Sequence, residues 1–310
     1  MIAAATREGL SGLRRNPGLA PALWLLNLTL AAAAGLPGFL SLRSAIALRP
    51  GADALAGGFS FGILRDIVAT RPGLVSGLAF SALGVALLGL LAGAAATGGA
   101  LEVLTSRDDR PFGHRFGRGA GRFFFRFVRA GILAVLAGAL LAALLGGPLL
   151  ALGGKLRRDS GSEALSLAVS ATGLGVAGLV FLLALLALDA ARVRIVREDA
   201  RRVLPMLRSG FAVVLRHPVK WLGTWGVNAL LGLVALALYP AFRAVVPAGT
   251  YPLILLMLAA QQAFVLVRSG LRVALLGSEV ALVERLRPRP APALPPQPEV
   301  EPLAGPALSF

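Results

Sequence analysis

The stretch ALSLAVSATGLGVAGLVFLLALLAL, residues 164–188, decides the fold class of this chain. It contains no charged side chain and is long enough to form a helix through lipid. A bilayer core of about 30 Å requires about 20 apolar residues in a helix, since backbone N–H and C=O groups cannot stay unpaired in lipid. The stretch therefore predicts a membrane-spanning helix.

Five more stretches of the same kind surround it, at residues 18–42, 74–101, 128–152, 219–242 and 252–277. None of the six has an acidic residue in its middle. The predicted fold class is therefore all-α, a polytopic transmembrane helical bundle of about six spans over residues 1–287. Residues 288–310 hold eight prolines, which predicts a disordered cytoplasmic tail.

The composition excludes most soluble classes. Of the 310 residues, 56% are apolar and only 15% are charged, whereas soluble domains average about 25% charged residues. The net charge of +16 would by itself suggest a nucleic-acid partner. The basic residues lie between apolar runs that would hold them at the bilayer, so no nucleic-acid binding is predicted.

The first span has a second interpretation. Arg14 and Arg15, the apolar run that follows and the alanines at 31–34 also fit a cleavable signal peptide. The apolar run continues through Phe39 and Leu40, which favours a retained span.

The distribution of Lys and Arg predicts the orientation. The segments before span one, after spans two and four, and from the end of span six onward hold 23 of these residues, and the segments on the opposite side hold eight. Cytoplasmic loops of membrane proteins carry the excess of basic residues. Both termini are therefore predicted to be cytoplasmic.

Short matches within the sequence suggest three repeated hairpins. Pro17, Trp24 and Asn27 recur at identical spacing as Pro218, Trp225 and Asn228, at the start of spans one and five. Residues 100–103, 190–193 and 270–273 share a small-x-charged-Val pattern at the ends of the even-numbered spans. These matches predict a parallel repetition, because successive hairpins enter the membrane from the same side.

Two basic segments between hairpins predict cytoplasmic interfacial amphipathic helices. In the first, one stripe carries arginines and another face carries Phe112, Phe116, Phe123 and Phe127. The arginines of the stripe are Arg115, Arg118, Arg122, Arg126 and Arg129. The second sets Leu204, Leu207, Phe211 and Leu215 against Arg201, Arg202, Arg208 and Arg216. Such helices serve as topology anchors or as binding sites for anionic lipid or phosphate.

Polar residues within the spans are the next candidates. Asn27, Asn228, Gln261 and Gln262 are predicted either to join helices by hydrogen bonds or to line a translocation path. Small residues spaced four apart predict close helix packing at three pairs, which are Gly89 with Gly93, Ala94 with Gly98, and Ala171 with Gly175. Their faces would equally suit a homo-oligomer or an unknown membrane-protein partner.

Charged residues gather at the predicted inner membrane edge, at Glu102, Asp189, Arg192, Arg194, Arg268 and Arg272. Asp189 and Arg192 are three residues apart on one helix and are expected to pair. If the hairpins surround a common axis, Glu102, Arg192 and Arg272 lie near one another. The cluster is either a set of structural ion pairs or a site for anionic headgroups.

The sequence offers no set of residues typical of an enzyme active site. There is no Cys, and the two histidines, His114 and His217, lie in basic segments. No His-Glu-x-x-His motif occurs, and neither histidine lies near a plausible nucleophile in the sequence. We therefore expect no metal, no cofactor and no enzyme activity.

Residues 189–199, DAARVRIVRED, followed by LRHP at 215–218 and the fifth span, resemble a recurring element of bacterial six-span proteins. These are similar to the membrane domain attached to some glycerophosphodiester phosphodiesterases. The resemblance implies an inner-membrane helical domain without catalysis, because the soluble phosphodiesterase barrel has no counterpart in this sequence. The expected function is a scaffold or accessory module that contacts anionic lipid. The alternative is a transporter or lipid translocator with its site near the cytoplasmic helix ends.

Overall fold

A computed structural model describes residues 1–46, 72–106, 108–159, 162–246 and 250–286, with the single positions 62, 65 and 69. All regular secondary structure in these ranges is α-helical. The predicted tail, residues 288–310, lies outside them. The helices of the described ranges are α1 (Ile2–Arg15), α2 (Leu19–Ile46), α3 (Pro72–Thr105), α4 (Phe112–Asp159), α5 (Glu163–Glu198), α6 (Val203–Arg216), α7 (Pro218–Val245) and α8 (Tyr251–Leu286).

Five of these helices, α3, α4, α5, α7 and α8, are long and apolar enough to cross a membrane. On α4, Leu136, Leu140 and Leu144 follow one face and are 61–63% exposed, as expected of side chains that contact lipid. The fold is thus a helical bundle of the multi-pass membrane type. The described apolar part of α2, Leu19–Ala33, is shorter, so the first predicted span is not among the five.

The hydrophobic core lies at one end of the bundle, where α3, α5 and α8 meet. Ala100 and Leu101 of α3, Ile195 of α5 and Val273 and Leu282 of α8 are fully buried. We call this region the packed end; it comprises residues 94–105, 184–198 and 269–286, with α1 and α6 beside them. Toward the opposite end the apolar side chains are mostly exposed.

Three glycines of the outer helices lie against the three central helices at the packed end. Gly9 of α1 lies on the backbone of α8 at Ala274 and Ser278. A β-carbon at Gly9 would overlap the Ala274 carbonyl oxygen, so only glycine allows this approach. The other two contacts are Gly119 of α4 on Gly98 and Glu102 of α3, and Gly210 of α6 on Ala187 and Ala191 of α5. We call these three contacts the glycine seats.

Helix α4 differs from expectation because the first amphipathic segment is not a separate helix. The arginine stripe and the third predicted span form one helix of 48 residues, about 72 Å long at 1.5 Å per residue. Phe123 and Phe127 are buried against the rest of the packed end. Protein packing therefore continues the helix where we predicted a turn into the interface.

Helix α6 is separate, and the face that it buries overlaps the predicted one in part, because Leu207 and Phe211 pack on the core. Leu207, Gly210 and Val214 are buried, whereas Leu204 and Leu215 are 65% and 61% exposed. The seat of Gly210 sets this rotation, because the helix approaches α5 along the side that has no β-carbon.

Of the predicted small-residue pairs, only Ala94 with Gly98 lies where helices touch, since both residues are buried and Gly98 is part of the seat of Gly119. Gly89, Gly93 and Gly175 have no neighbour within 4 Å of an added β-carbon. The close approach of α4 to α5 instead uses Gly146 and Gly173, where a β-carbon on either would meet the other's carbonyl oxygen at 2.7 and 3.1 Å.

Candidate functional site

A cluster of charged side chains lies where α5 and α8 cross. Asp189 of α5 is 9% exposed and accepts hydrogen bonds from Arg192 Nη1 at 2.9 Å and from Arg272 Nη1 at 3.5 Å. The expected pairing of Asp189 with Arg192 is confirmed, and Arg272 reaches the same carboxylate from α8. We call Asp189, Arg192, Arg272 and Glu279 the central charge cluster.

Glu279 is a member of the cluster that the sequence analysis missed. It is 1% exposed, and neither carboxylate oxygen accepts a hydrogen bond from a described residue. A buried carboxylate without a donor is costly, so ionisable groups in such places are functional candidates. The sequence could have indicated this residue, because Glu279 is the only charged residue in the apolar run 273–283. It lies two helical turns after Arg272, on the same face of the helix.

Arg192 is enclosed within the protein. Its side chain is 14% exposed, and its guanidinium lies 5.6 Å from the centre of the Phe127 ring. The cation–π contact and the bond to Asp189 hold the guanidinium between α4 and α5. These contacts indicate that Arg192 stabilises the packing of α4 on α5.

Carboxylates engage three of the five stripe arginines. Arg118 pairs with Glu102, and Arg122 and Arg126 donate to Asp199 at 2.6 and 2.8 Å. The hydrogen bond from Arg126, together with the bond and charge of Arg122, lowers the pKa of Asp199 below its ordinary value.

The other predicted charges divide between the helix surface and the cluster. Arg129 is exposed, and Arg115 is half-buried without an ion pair to a described residue. Arg194 bonds to Glu198 at 3.3 Å on the same helix. Glu102, Arg192 and Arg272 were expected to lie near one another. Glu102 instead binds Arg118, and only Arg192 and Arg272 share a partner, the carboxylate of Asp189.

An open cavity of about 480 Å³ lies between α2, α3 and α8 beside the cluster. We call it the central groove. Leu23, Leu30 and Val265 contribute to apolar walls, and Gly89 and Gly93 widen the groove because they carry no side chain. Its polar lining residues are Asn27, Thr97, Arg268, Ser269 and Arg272.

The intramembrane polar residues have separate roles. Gln262 accepts a hydrogen bond from the Trp24 indole at 3.1 Å, which joins α8 to α2. Asn228 is buried and donates to the Thr224 carbonyl at 2.9 Å, and Gln261 is exposed. Asn27 lines the groove and makes no hydrogen bond to a described residue.

The described residues contain no group of three His, Asp or Glu side chains able to hold a metal ion. The arrangement instead offers an apolar groove with guanidinium groups at its packed end. No family model, curated protein or solved structure matches this chain.

Proposed function

We propose that this chain is a non-enzymatic membrane module that binds an anionic lipid in the central groove. The observation that carries the proposal is the pairing of apolar walls with Arg268 and Arg272 at the packed end of the groove. A lipid with a phosphate headgroup matches this groove in both parts. Its acyl chains suit the apolar walls, and its phosphate accepts charge-assisted hydrogen bonds from the guanidinium groups.

Arg268 and Arg272 suit this role for different reasons. Arg268 is exposed and has no ion pair with a described residue. Arg272 holds Asp189 only at 3.5 Å, and its side chain is 40% exposed. A guanidinium has five N–H donors, so Arg272 can hold Asp189 and a phosphate oxygen together.

The proposal includes the topology expected from the sequence. In this topology helix α2 also crosses the membrane, which makes six spans. The packed end lies on the cytoplasmic side of a bacterial inner membrane. The support is the 23-to-eight distribution of Lys and Arg, since most basic residues lie in or next to the packed end. Phosphatidylglycerol-type lipid of the cytoplasmic leaflet then has direct access to the groove.

The glycine seats support three repeated hairpins. Helices α1 and α6 both have 14 residues, and Gly9 precedes Pro17 by the same eight residues as Gly210 precedes Pro218. Each seat places the first segment of one hairpin on the second helix of the preceding hairpin. Gly9 closes the ring by lying on α8, the last helix of the third hairpin.

A lipid translocator is the second candidate. The observation that favours it is the continuation of the groove from Arg268 to Asn27, whose amide is free of hydrogen bonds to described residues. A polar side chain along an apolar groove would give a headgroup a resting place within the span.

The test is lipid retention by the purified full chain and by Arg268→Gln, measured by native mass spectrometry with phosphatidylglycerol or phosphatidylcholine. We expect selective retention of phosphatidylglycerol by the wild type and loss of that selectivity in Arg268→Gln. Arg243→Gln is the matched control, because Arg243 is an exposed arginine at the other end of the membrane helices. Equal retention by all three proteins would refute the proposal.

A second measurement separates the two candidates. Purified protein in vesicles is tested for transfer of fluorescent phosphatidylglycerol between leaflets. Transfer that Arg268→Gln abolishes supports a translocator, whereas selective binding without transfer supports a scaffold.

A further inference from the structure

A second cavity at the packed end shares no lining residue with the central groove. Its volume is about 870 Å³, and it lies between α1, α3, α5 and α8, with Arg115 of α4 at its wall. Charged and polar side chains line much of it, unlike the groove. We call it the polar cavity.

The carboxylates of the polar cavity are already paired. Glu8 bonds to Arg285, Glu102 to Arg118 and Glu284 to Arg197. Each of these three acids is therefore neutralised by its own arginine.

Two arginines of the lining remain. Arg115 has no ion pair with a described residue, and Arg15 bonds only to Ser11 of its own helix, with 2.9 Å between Nη2 and the hydroxyl. The lining has three arginines and three carboxylates, but Arg118 and Arg285 from outside it pair with two of those carboxylates. Five arginines therefore stand against three carboxylates in and around the polar cavity, an excess of two positive charges.

Helix ends reduce this excess without reversing it. Four helices end within a turn of lining residues, α1 at Arg15, α3 at Thr105, α5 at Glu198 and α8 at Leu286, and α4 begins there at Phe112. A helix terminus carries about half a charge, negative at the C-terminus and positive at the N-terminus, so these ends amount to about one and a half negative charges. The cavity remains positive by about half a charge.

Three buried polar atoms of lining residues also have no partner among the described residues. They are Nε of Arg115, Nε of Arg197 and the hydroxyl oxygen of Ser106. Native proteins rarely leave such groups unsatisfied unless a ligand or water binds there. Together with the charge balance, they point to a ligand rich in acceptor oxygens.

We infer that the polar cavity binds a phosphate group, with Arg115 and Arg15 as its ligands. Guanidinium is the side-chain group that matches phosphate geometry, because it offers two parallel N–H donors. The phosphate is either that of a free solute or that of an anionic lipid headgroup. This site does not depend on lipid binding in the central groove.

The experiment titrates inorganic phosphate calorimetrically into the full chain in phosphatidylcholine nanodiscs. In Arg115→Gln we expect affinity to fall by about tenfold or more, the loss typical of one charge-assisted hydrogen bond. Arg129→Gln is the matched control, because Arg129 is an exposed arginine on the same helix. The affinity lost in Arg115→Gln belongs to the polar cavity, because Arg115 does not line the central groove.

A second arm tests the lipid source. If phosphate gives no heat, phosphatidylglycerol retention is compared between wild type and Arg115→Gln by native mass spectrometry, and selective loss assigns the site to a headgroup. Arg15→Gln replaces Arg115→Gln if the latter does not fold. Unchanged affinity and unchanged retention in the folded variant overturn the inference.

Discussion

At the residue scale, Asp189 is the joint between two central helices. Its carboxylate accepts from Arg192 on its own helix and from Arg272 on α8. Removing one partner of a buried ion pair costs about 3–5 kcal/mol, since it leaves an uncompensated charge in a medium of low dielectric constant. Here one carboxylate serves two guanidiniums, so its loss affects both.

We predict that Asp189→Asn lowers the free energy of unfolding by about 3 kcal/mol. The measurement is thermal or denaturant unfolding of the purified protein in one detergent. Asp109→Asn is the control, because Asp109 is exposed at the start of the segment before α4. Its effect should stay within about 0.5 kcal/mol. Equal stability of the two variants would show that Asp189 is not a structural joint.

Only part of this cluster could be predicted from the sequence. The i, i+3 spacing of Asp189 and Arg192 is local, so the pair could be predicted. The partner of Glu102 could not, because Arg118 reaches it only after α4 packs on α3 at Gly119. Glu279 was overlooked because it lies beyond the predicted end of span six.

At the element scale, the glycine seats determine which helices touch. The seat of Gly9 brings α1 onto α8, and the seat of Gly210 brings α6 onto α5. An added methyl group would meet backbone atoms in both places, which cannot move aside as a flexible side chain does.

We predict that Gly9→Ala releases α1 from the packed end. The expected readout is faster hydrogen–deuterium exchange of the amides in α1. Gly12→Ala is the matched control, because its added methyl would meet only the end of the Leu104 side chain, at 3.3 Å. Alanine raises intrinsic helix stability by about 1 kcal/mol over glycine, so Gly12→Ala should keep or increase protection. Similar protection in both variants would contradict the role of the seat.

The sequence predicts the membrane helices better than the helices that surround the packed end. Hydropathy over about 20 residues is a local signal, and it located α3, α4, α5, α7 and α8. Helix α1 was missed because its sequence is mostly small and polar, and its packing surface on α8 lies far away along the chain. The continuity of α4 likewise depends on its contacts with α3 and α5.

At the scale of the whole molecule, the bundle is dense at one end and open at the other. Core residues concentrate where α3, α5 and α8 meet, and the apolar parts of the helices expose their leucines. A bilayer can cover the open part, whereas the packed end has its own protein core.

We predict that the packed end faces the cytoplasm. The chain has no cysteine, so Asp109→Cys and Thr250→Cys each introduce a single thiol, near the packed end and at the opposite end respectively. A membrane-impermeant maleimide applied to intact cells should label Thr250→Cys only. Labelling of Asp109→Cys alone would reverse the orientation.

The seat of Gly9 on α8 has a consequence for biosynthesis. Helix α1 leaves the ribosome before all the other helices of the bundle, and its binding surface at Ala274 and Ser278 lies on α8, which follows them. The packed end therefore cannot close until α8 has been translated. A product truncated before α8 has its early spans but leaves α1 undocked, a state that quality-control proteases can distinguish from the finished protein.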